Sequence, residues 1–429
     1  MQSYQEVLNY LFSRLPMFTR IGKAAYKADL TNTIKLMEVL KHPEKKFKTI
    51  HIAGTNGKGS TSHMLASILH SAGYKTGLYT SPHIKDFRER IRINGTMISE
   101  EYVLKFVELY KDAFEKIEPS FFEWTVALCF DFFSNQHLDI AVIETGLGGR
   151  LDSTNIISPL LSVITNIGYD HTDLLGDTIE KIAFEKAGII KKNTPIIIGQ
   201  KQNETTNVFE QKANLEHSPI EFTSDIFQIK NWENNGFLIT VDVYFKNKLA
   251  INKLECDLTG NYQKHNIITV LHAVKSLQEN GFVISENHIR TGLKQVKTNT
   301  GFKGRWDILS KMPLIVSDTG HNEDGIKEIV EQLLTIKYNK LFIVFGMVND
   351  KLPDKVLSAL PKHAIYFFCK ADMPRAMNDE DLFEIAKTFG LQGNFYGSVE
   401  NALNEAKKQA SSNDLIFVGG STFVAAEIL

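Results

Sequence analysis

The chain has 429 residues, 43% of them hydrophobic, and its 48 lysines and arginines nearly balance 50 aspartates and glutamates. That length exceeds what a single core usually supports, so two domains are expected. A formal net charge of -2 excludes a general affinity for nucleic acid or anionic membrane, so any anion site must be local.

At the N-terminus, Val7, Leu8, Leu11, Phe12 and Leu15 are spaced as an amphipathic helix, without the basic start and continuous apolar core of a signal peptide. No apolar run reaches membrane-spanning length, and a cytoplasmic location is expected. Cys129, Cys256 and Cys369 lie far apart without paired spacing, which predicts buried, reduced thiols rather than a disulfide framework or a zinc site.

The run Thr49, Ile50, His51, Ile52 predicts a buried strand. It leads into Gly54-Thr55-Asn56-Gly57-Lys58-Gly59-Ser60 and then into a helix whose Met64, Leu65, Ile68 and Leu69 share one face, which predicts packing against a sheet. Glycines let backbone N–H groups point inward, the helix N-terminus adds partial positive charge, and Lys58 adds a full one. The strict phosphate-loop pattern places a hydroxyl directly after the lysine, whereas here Gly59 intervenes and Ser60 supplies it. The alternative, a glycine-rich turn with a chance lysine, does not account for strand, turn, lysine, hydroxyl and helix coinciding. Such a site prefers a polyphosphate.

Further buried strands are predicted at Lys75 to Tyr79, Leu138 to Glu144, Leu160 to Ile167 and Pro195 to Ile198. Their alternation with helices implies a mainly parallel sheet. From Pro219 to Leu258, Phe237, Ile239, Val241 and Val243 alternate with polar neighbours, which predicts an antiparallel, half-exposed segment. A helix over Tyr262 to Gln278 and a polar stretch from Lys297 to Gly304 follow. Strands at Leu314 to Ser317, Leu341 to Phe345, Ala364 to Phe368 and Asp414 to Val418 then define a second unit. The expected fold class is α/β: an N-terminal P-loop ATPase domain over residues 1–297, mainly parallel with a small antiparallel segment, and a smaller C-terminal Rossmann-like domain over 298–429.

In an open parallel sheet, ligands gather at the carboxyl ends of strands. Glu144 ends one such strand and is a candidate magnesium ligand opposite Ser60, because magnesium takes one or two carboxylates plus phosphate oxygens. The next strand runs into Gly168-Tyr169-Asp170-His171, and neutral imidazole is a metal ligand as well as a common structural residue. Lys186 sits in an apolar helix end, where it either snorkels, pairs with an acid, or serves the site.

These segments together resemble the folylpolyglutamate synthase and dihydrofolate synthase family, within the wider Mur ligase superfamily. The matching stretches are His51-Ile52-Ala53 with the loop to Ser60, Thr80-Ser81-Pro82-His83 with Glu89-Arg90-Ile91 and Asn94-Gly95, and Glu144 through Asn155. Thr165 through His171, Glu185-Lys186-Ala187-Gly188-Ile189, Gly304-Arg305, and Asp318 with His321-Asn322 complete the series in family order. The phosphate loop identifies only the superfamily, whereas the Ser-Pro-His and Gly-Leu-Gly-Gly-Arg-Leu-Asp segments point to the folate enzymes.

The resemblance implies ATP-dependent addition of L-glutamate to dihydropteroate, to reduced folates, or to both, through an acyl phosphate. It implies a monomer acting on small molecules, with two magnesium sites, no nucleic acid and no membrane. Lys58 and the loop from Gly54 to Ser60 are then nucleotide-binding, Ser60 and Glu144 resemble ligands of the first magnesium, and His171 a ligand of the second. Lys186 resembles the family lysine that carbon dioxide carbamylates. Phe122 and Glu123, with Asp152 and Ser153, resemble the part that holds the pterin, although ordinary core is the other reading of Phe122. Asn266, Arg305 and Asp318 resemble nucleotide contacts, the last two closing from the second domain. His321 and Ser421 resemble contacts to the amino acid, a surface turn being the other reading of Gly419-Gly420-Ser421.

Where the family more often has Asp-Gly-Ala-His-Asn-Pro, this chain has Asp318-Thr319-Gly320-His321-Asn322-Glu323, which bears on glutamate specificity. Three alternatives stay open, one of them a small-molecule kinase using the same loop, which requires a stable phosphorylated product and no amide. A cell-wall ligase of the same superfamily is disfavoured by the short segment before the phosphate loop. A nucleotide switch without ligation requires ATP turnover independent of both other substrates.

Overall fold

The computed structural model describes residues 3–17, 20, 22, 29–349 and 353–429. The chain forms two compact units, one from Met1–Asp257 with Gln263–Phe302, the other from Leu258–Tyr262 with Lys303–Leu429.

The first unit is built on an eight-stranded sheet. Its strands are β1 Lys48–Ala53, β2 Thr76–Tyr79, β3 Ile91–Ile93, β4 Thr96–Met97, β5 Ile140–Glu144, β6 Leu161–Ile164, β7 Ile196–Ile198 and β8 Ile220–Phe222, in the order β4-β3-β2-β5-β1-β6-β7-β8. From β2 to β8 the pairing is parallel, and β3 and β4 add an antiparallel edge. The inner strands are buried on both faces, which is why they read as unbroken apolar runs.

The central strand β1 feeds directly into the helix Lys58–Ser71. This helix packs against the sheet, as the face of Met64, Leu65, Ile68 and Leu69 predicts, and its residues 60–69 are all buried, so the remaining sides are covered as well. The reason is tertiary: the helix is covered by Gln263–Glu279, Glu286–Lys294 and Val296–Thr300 as well as by the sheet. The last of these helices also occupies part of the stretch read as a polar linker.

An antiparallel three-stranded sheet follows, with β9 Phe227–Asn234, β10 Ile239–Phe245 and β11 Lys248–Cys256. Ile239, Val241 and Val243 are buried on one face of β10, as the alternation predicts. The expectation that everything from Pro219 onward is antiparallel is corrected at Ile220–Phe222, which pairs in parallel with β7. Three residues are too few to display a direction.

The second unit holds β12 Asp307–Lys311, β13 Leu314–Ser317, β14 Leu341–Phe345, β15 Ile365–Lys370, β16 Gln392–Ser398 and β17 Leu415–Gly419 in the order β12-β13-β17-β14-β15-β16. All pairs except β12–β13 are parallel. Alternate residues feed two cores on opposite faces: Ile343, Phe345 and Phe417 pack in one, Phe342, Val344 and Val418 in the other. This is the smaller Rossmann-like unit. Cys129, Cys256 and Cys369 are buried and not joined in disulfides. Among the described residues no helix is long and apolar enough to cross a membrane.

Candidate active site

The loop between β1 and the helix Lys58–Ser71 is held from β6. Thr55 N donates to Asn166 O at 2.9 Å, Asn56 N to Asn166 Oδ1 at 2.9 Å, and Thr165 Oγ1 to Asn56 O at 2.6 Å. Thr55 Oγ1 both donates to Gly168 O and accepts from Gly168 N. Gly57 has φ 84, and an added Cβ would lie 2.3 Å from Asn266 Oδ1, so only glycine fits. Among the described residues no side chain caps the helix that starts at Lys58, and an uncapped helix start is suited to an anion.

Asn266 and Ser60 are joined by a residue that sequence reasoning missed. Gln263 is fully buried; its Nε2 donates to Ser60 Oγ at 3.1 Å and its Oε1 accepts from Asn266 Nδ2 at 2.7 Å. No motif marks a glutamine 203 positions away from its partner.

Glu144 ends β5 beside Ile52 of β1 and is 3% exposed. A Cβ placed on Gly59 would lie 3.8 Å from its Oε2, so the carboxylate borders the phosphate loop. The same Oε2 accepts from Ser81 N at 3.4 Å, just past the end of β2. Ser81 belongs to the Thr80-Ser81-Pro82-His83 motif, and its strand-end position is the sequence signal that marks it. Among the described residues, no three His, Cys, Asp or Glu side chains gather as a metal cluster. One buried carboxylate with serine hydroxyls nearby fits a hard cation that takes most of its oxygens from phosphate and water.

Lys58 Nζ donates to Gly54 O at 3.0 Å and Thr55 O at 3.1 Å, and Lys186 Nζ donates to Gly54 O at 2.8 Å. Burial first, and Lys58 second, lower the Lys186 pKa to about 7. His171 begins a short helix with φ 49, its amide bonded to Asp170 Oδ1 and its Nε2 3.9 Å from that oxygen. It follows Gly168, which is bound to Thr55, and so stands on the loop's β6 side.

Phe122 packs its ring onto Gly146, where a Cβ would come within 2.4 Å of it. Glu123 is corrected from ligand to cap: its Oε2 accepts from Ser120 N at 2.6 Å in a capping box. Asp152 is 4% exposed and closes the glycine loop, Oδ2 accepting from Leu147 N at 2.8 Å and Oδ1 from Thr154 N at 3.0 Å. Burial raises its pKa while these bonds lower it. Ser153 beside it is buried.

In the second unit, Asp318 follows β13 and is 2% exposed. It accepts from Tyr262 Oη at 2.5 Å, Trp306 N at 2.9 Å and Gly320 N at 2.8 Å, with Arg305 in electrostatic range. His321 Nδ1 lies 3.0 Å from Thr319 O. Ser421, past the neighbouring β17, is buried and accepts from Val424 N at 3.1 Å, so it is a helix cap rather than a surface turn.

Two family models match the chain, the Mur ligase middle domain over residues 52–274 and the Mur ligase glutamate ligase domain over residues 304–422. The dihydrofolate synthase/folylpolyglutamate synthase of Bacillus subtilis (strain 168) is 33% identical, covering 99% of this chain and 98% of that one. The folylpolyglutamate synthase of Lacticaseibacillus casei is 30% identical, covering 99% and 98%. Among solved structures, E. coli FolC in complex with DHPP and ADP aligns with TM-score 0.87 and 27% identity over 100% of this chain and 97% of that one. The folylpolyglutamate synthase of Thermotoga maritima aligns with TM-score 0.81 and 33% identity over 99% and 95%. On two domain models that together span most of the chain and relatives matched over their full length, the chain belongs to the folylpolyglutamate synthase/dihydrofolate synthase family of Mur ligases.

Proposed function

We propose that this protein is an ATP-dependent ligase that adds L-glutamate to dihydropteroate, to reduced folates, or to both. The observation that carries the reading is the lysine pair on Gly54 O next to an uncapped helix start and the buried acid Glu144. That arrangement suits a triphosphate and a second anion brought together.

The substrate carboxylate attacks the γ-phosphorus, forming an acyl phosphate and ADP; the glutamate amine then attacks the acyl carbon, expelling phosphate and leaving an amide. Lys58 and the loop amides bind the phosphates, and Asn266 with Gln263 holds the loop and the Ser60 hydroxyl in place. Magnesium, when bound, offsets phosphate charge. Glu144 with a hydroxyl of Ser60 or Ser81 would hold one ion, His171 a second, and Lys186 as a carbamate would add an anionic oxygen there. Phe122 offers a flat apolar face and Asp152 an acceptor to the pterin, with Ser153 alongside. In the second unit, Arg305 and Asp318 are the proposed nucleotide residues, and His321 and Ser421 the proposed glutamate residues. A monomer in the cytoplasm completes the proposal, and three reduced cysteines suit that compartment.

The test is to incubate the protein with ATP, magnesium and glutamate, to offer dihydropteroate and tetrahydrofolate separately, and to weigh the products. Each accepted acid gains one glutamyl unit or more, with one ADP per addition. ATP turnover that is unchanged when acid and glutamate are both omitted overturns the reading in favour of a nucleotide switch.

A further inference from the structure

His51 lies in β1, two residues before the strand ends, and its side chain is fully buried. Its Nε2 is 2.9 Å from Thr154 Oγ1, and Thr154 Oγ1 donates to Asp152 Oδ1. Thr154 N adds a second bond to Oδ1, and Leu147 N holds Oδ2. A continuous chain of hydrogen bonds therefore joins the strand that feeds the phosphate loop to the loop that carries Asp152.

Proton counting gives the chain a direction. Burial raises the Asp152 pKa, and the Thr154 hydroxyl with amide donors from Leu147, Thr154 and Gly146 opposes that rise; the geometry, four donors converging on the two oxygens, is that of a carboxylate, which only accepts. A hydroxyl has one hydrogen, so Thr154 spends it on Asp152 and its oxygen must accept from His51. Burial, with Lys191 as a lesser cause, keeps the imidazole neutral, its pKa lowered to about 3. The single ring hydrogen is then on Nε2 and Nδ1 is bare. Among the described residues Nδ1, which is buried, has no hydrogen-bond partner.

That orphan acceptor costs stability, and an apolar β-branched residue in the strand would avoid it. The opposite tautomer would turn Nε2 into an acceptor competing with Asp152 for the Thr154 hydrogen. We infer that His51 is a positioning residue: through Thr154, its Nε2–H fixes the Asp152 carboxylate as a pure acceptor, the state required by a flat heterocycle presenting N–H donors. This rests on the proposed role of Asp152 toward the pterin.

The experiment compares His51→Leu, His51→Gln and Asp152→Asn, measuring KM for the accepted pterin acid and KM for ATP. Glutamine carries an amide N–H near the position of Nε2, so it keeps the donor that leucine removes. His51→Leu is expected to raise KM for the acid about tenfold or more while KM for ATP stays within about twofold, and His51→Gln to recover most of the loss. Equal rises in both KM values, no rise in either, or a glutamine variant no better than leucine overturns the inference. Should His51→Leu fail to fold, nitrogen-15 NMR of the wild-type imidazole decides: a neutral ring protonated at Nε2 supports it, and protonation at Nδ1 refutes it. An unchanged acid KM in Asp152→Asn instead removes the underlying pterin reading, whereas a rise there with none in His51→Leu removes only the inference.

Discussion

Lys58 and Lys186 reach the same oxygen, Gly54 O, at 3.0 and 2.8 Å. Two ammonium groups on one acceptor repel each other, and the Lys186 pKa falls from 10.5 to about 7, burial being the larger cause. Below that pH the amine is charged in both the folded and the unfolded state, and the cost of burying the charge is fully present. Between about 7 and 10.5 the unfolded chain binds the extra proton, so stability rises with pH. The unfolding midpoint should climb through this window and climb less in Lys186→Met; an equal slope in both contradicts the assignment. The same neutral amine is the nucleophile that attacks carbon dioxide, losing a proton as the carbamate forms. Carbon-13 carbon dioxide should give a carbamate resonance in the wild type that Lys186→Arg lacks.

Lys58→Ala and Glu144→Gln should each lower kcat by about 10²- to 10³-fold, the usual loss when one preorganised charge-stabilising group is removed. Thermal unfolding reports whether the fold survives. Near-native turnover in either variant would withdraw its role.

The proposed magnesium site takes its hydroxyl from either Ser60 or Ser81. Ser60 Oγ accepts from Gln263, whereas Ser81 is bonded through its amide to Glu144 itself. Magnesium titration of activity should show the larger rise in half-saturating concentration, about tenfold, for Ser81→Ala. The reverse ranking would return that place to Ser60, and Gln263→Leu should then mimic Ser60→Ala.

Gly57→Ala puts a side chain at φ 84 and against Asn266 Oδ1. The backbone cost is about 1–2 kcal/mol, and the displaced loop should raise KM for ATP more than KM for the acid. Calorimetry and initial rates measure both, and a silent variant would show that the loop geometry is not needed.

The strands and loops that form the site were readable where the chain is locally consistent. β1, β5 and β6 are buried on both faces, so their apolar runs stand out, and each ends in the polar residues that meet at the site. Edge strands and very short strands escape such reading: β16, at an edge, is exposed at most positions, and β3 spans only Ile91–Ile93. Gln263 and Ser81 were missed because their partners, Ser60 and Glu144, come from distant stretches of chain. Glu123 was overread because a carboxylate three residues into a helix also satisfies the capping pattern, and its bond to Ser120 N uses it that way.

The helix Lys58–Ser71 has no solvent-facing stripe, since residues 60–69 are enclosed. The element proposed to grip the phosphates is thus a beam of the first unit and not a flap hung on its outside. It cannot melt separately from what surrounds it, so nucleotide should slow amide exchange along the whole beam and into β1, far beyond the atoms that ATP touches. For the same reason, changes that retune the grip are bound to be felt throughout the unit's interior.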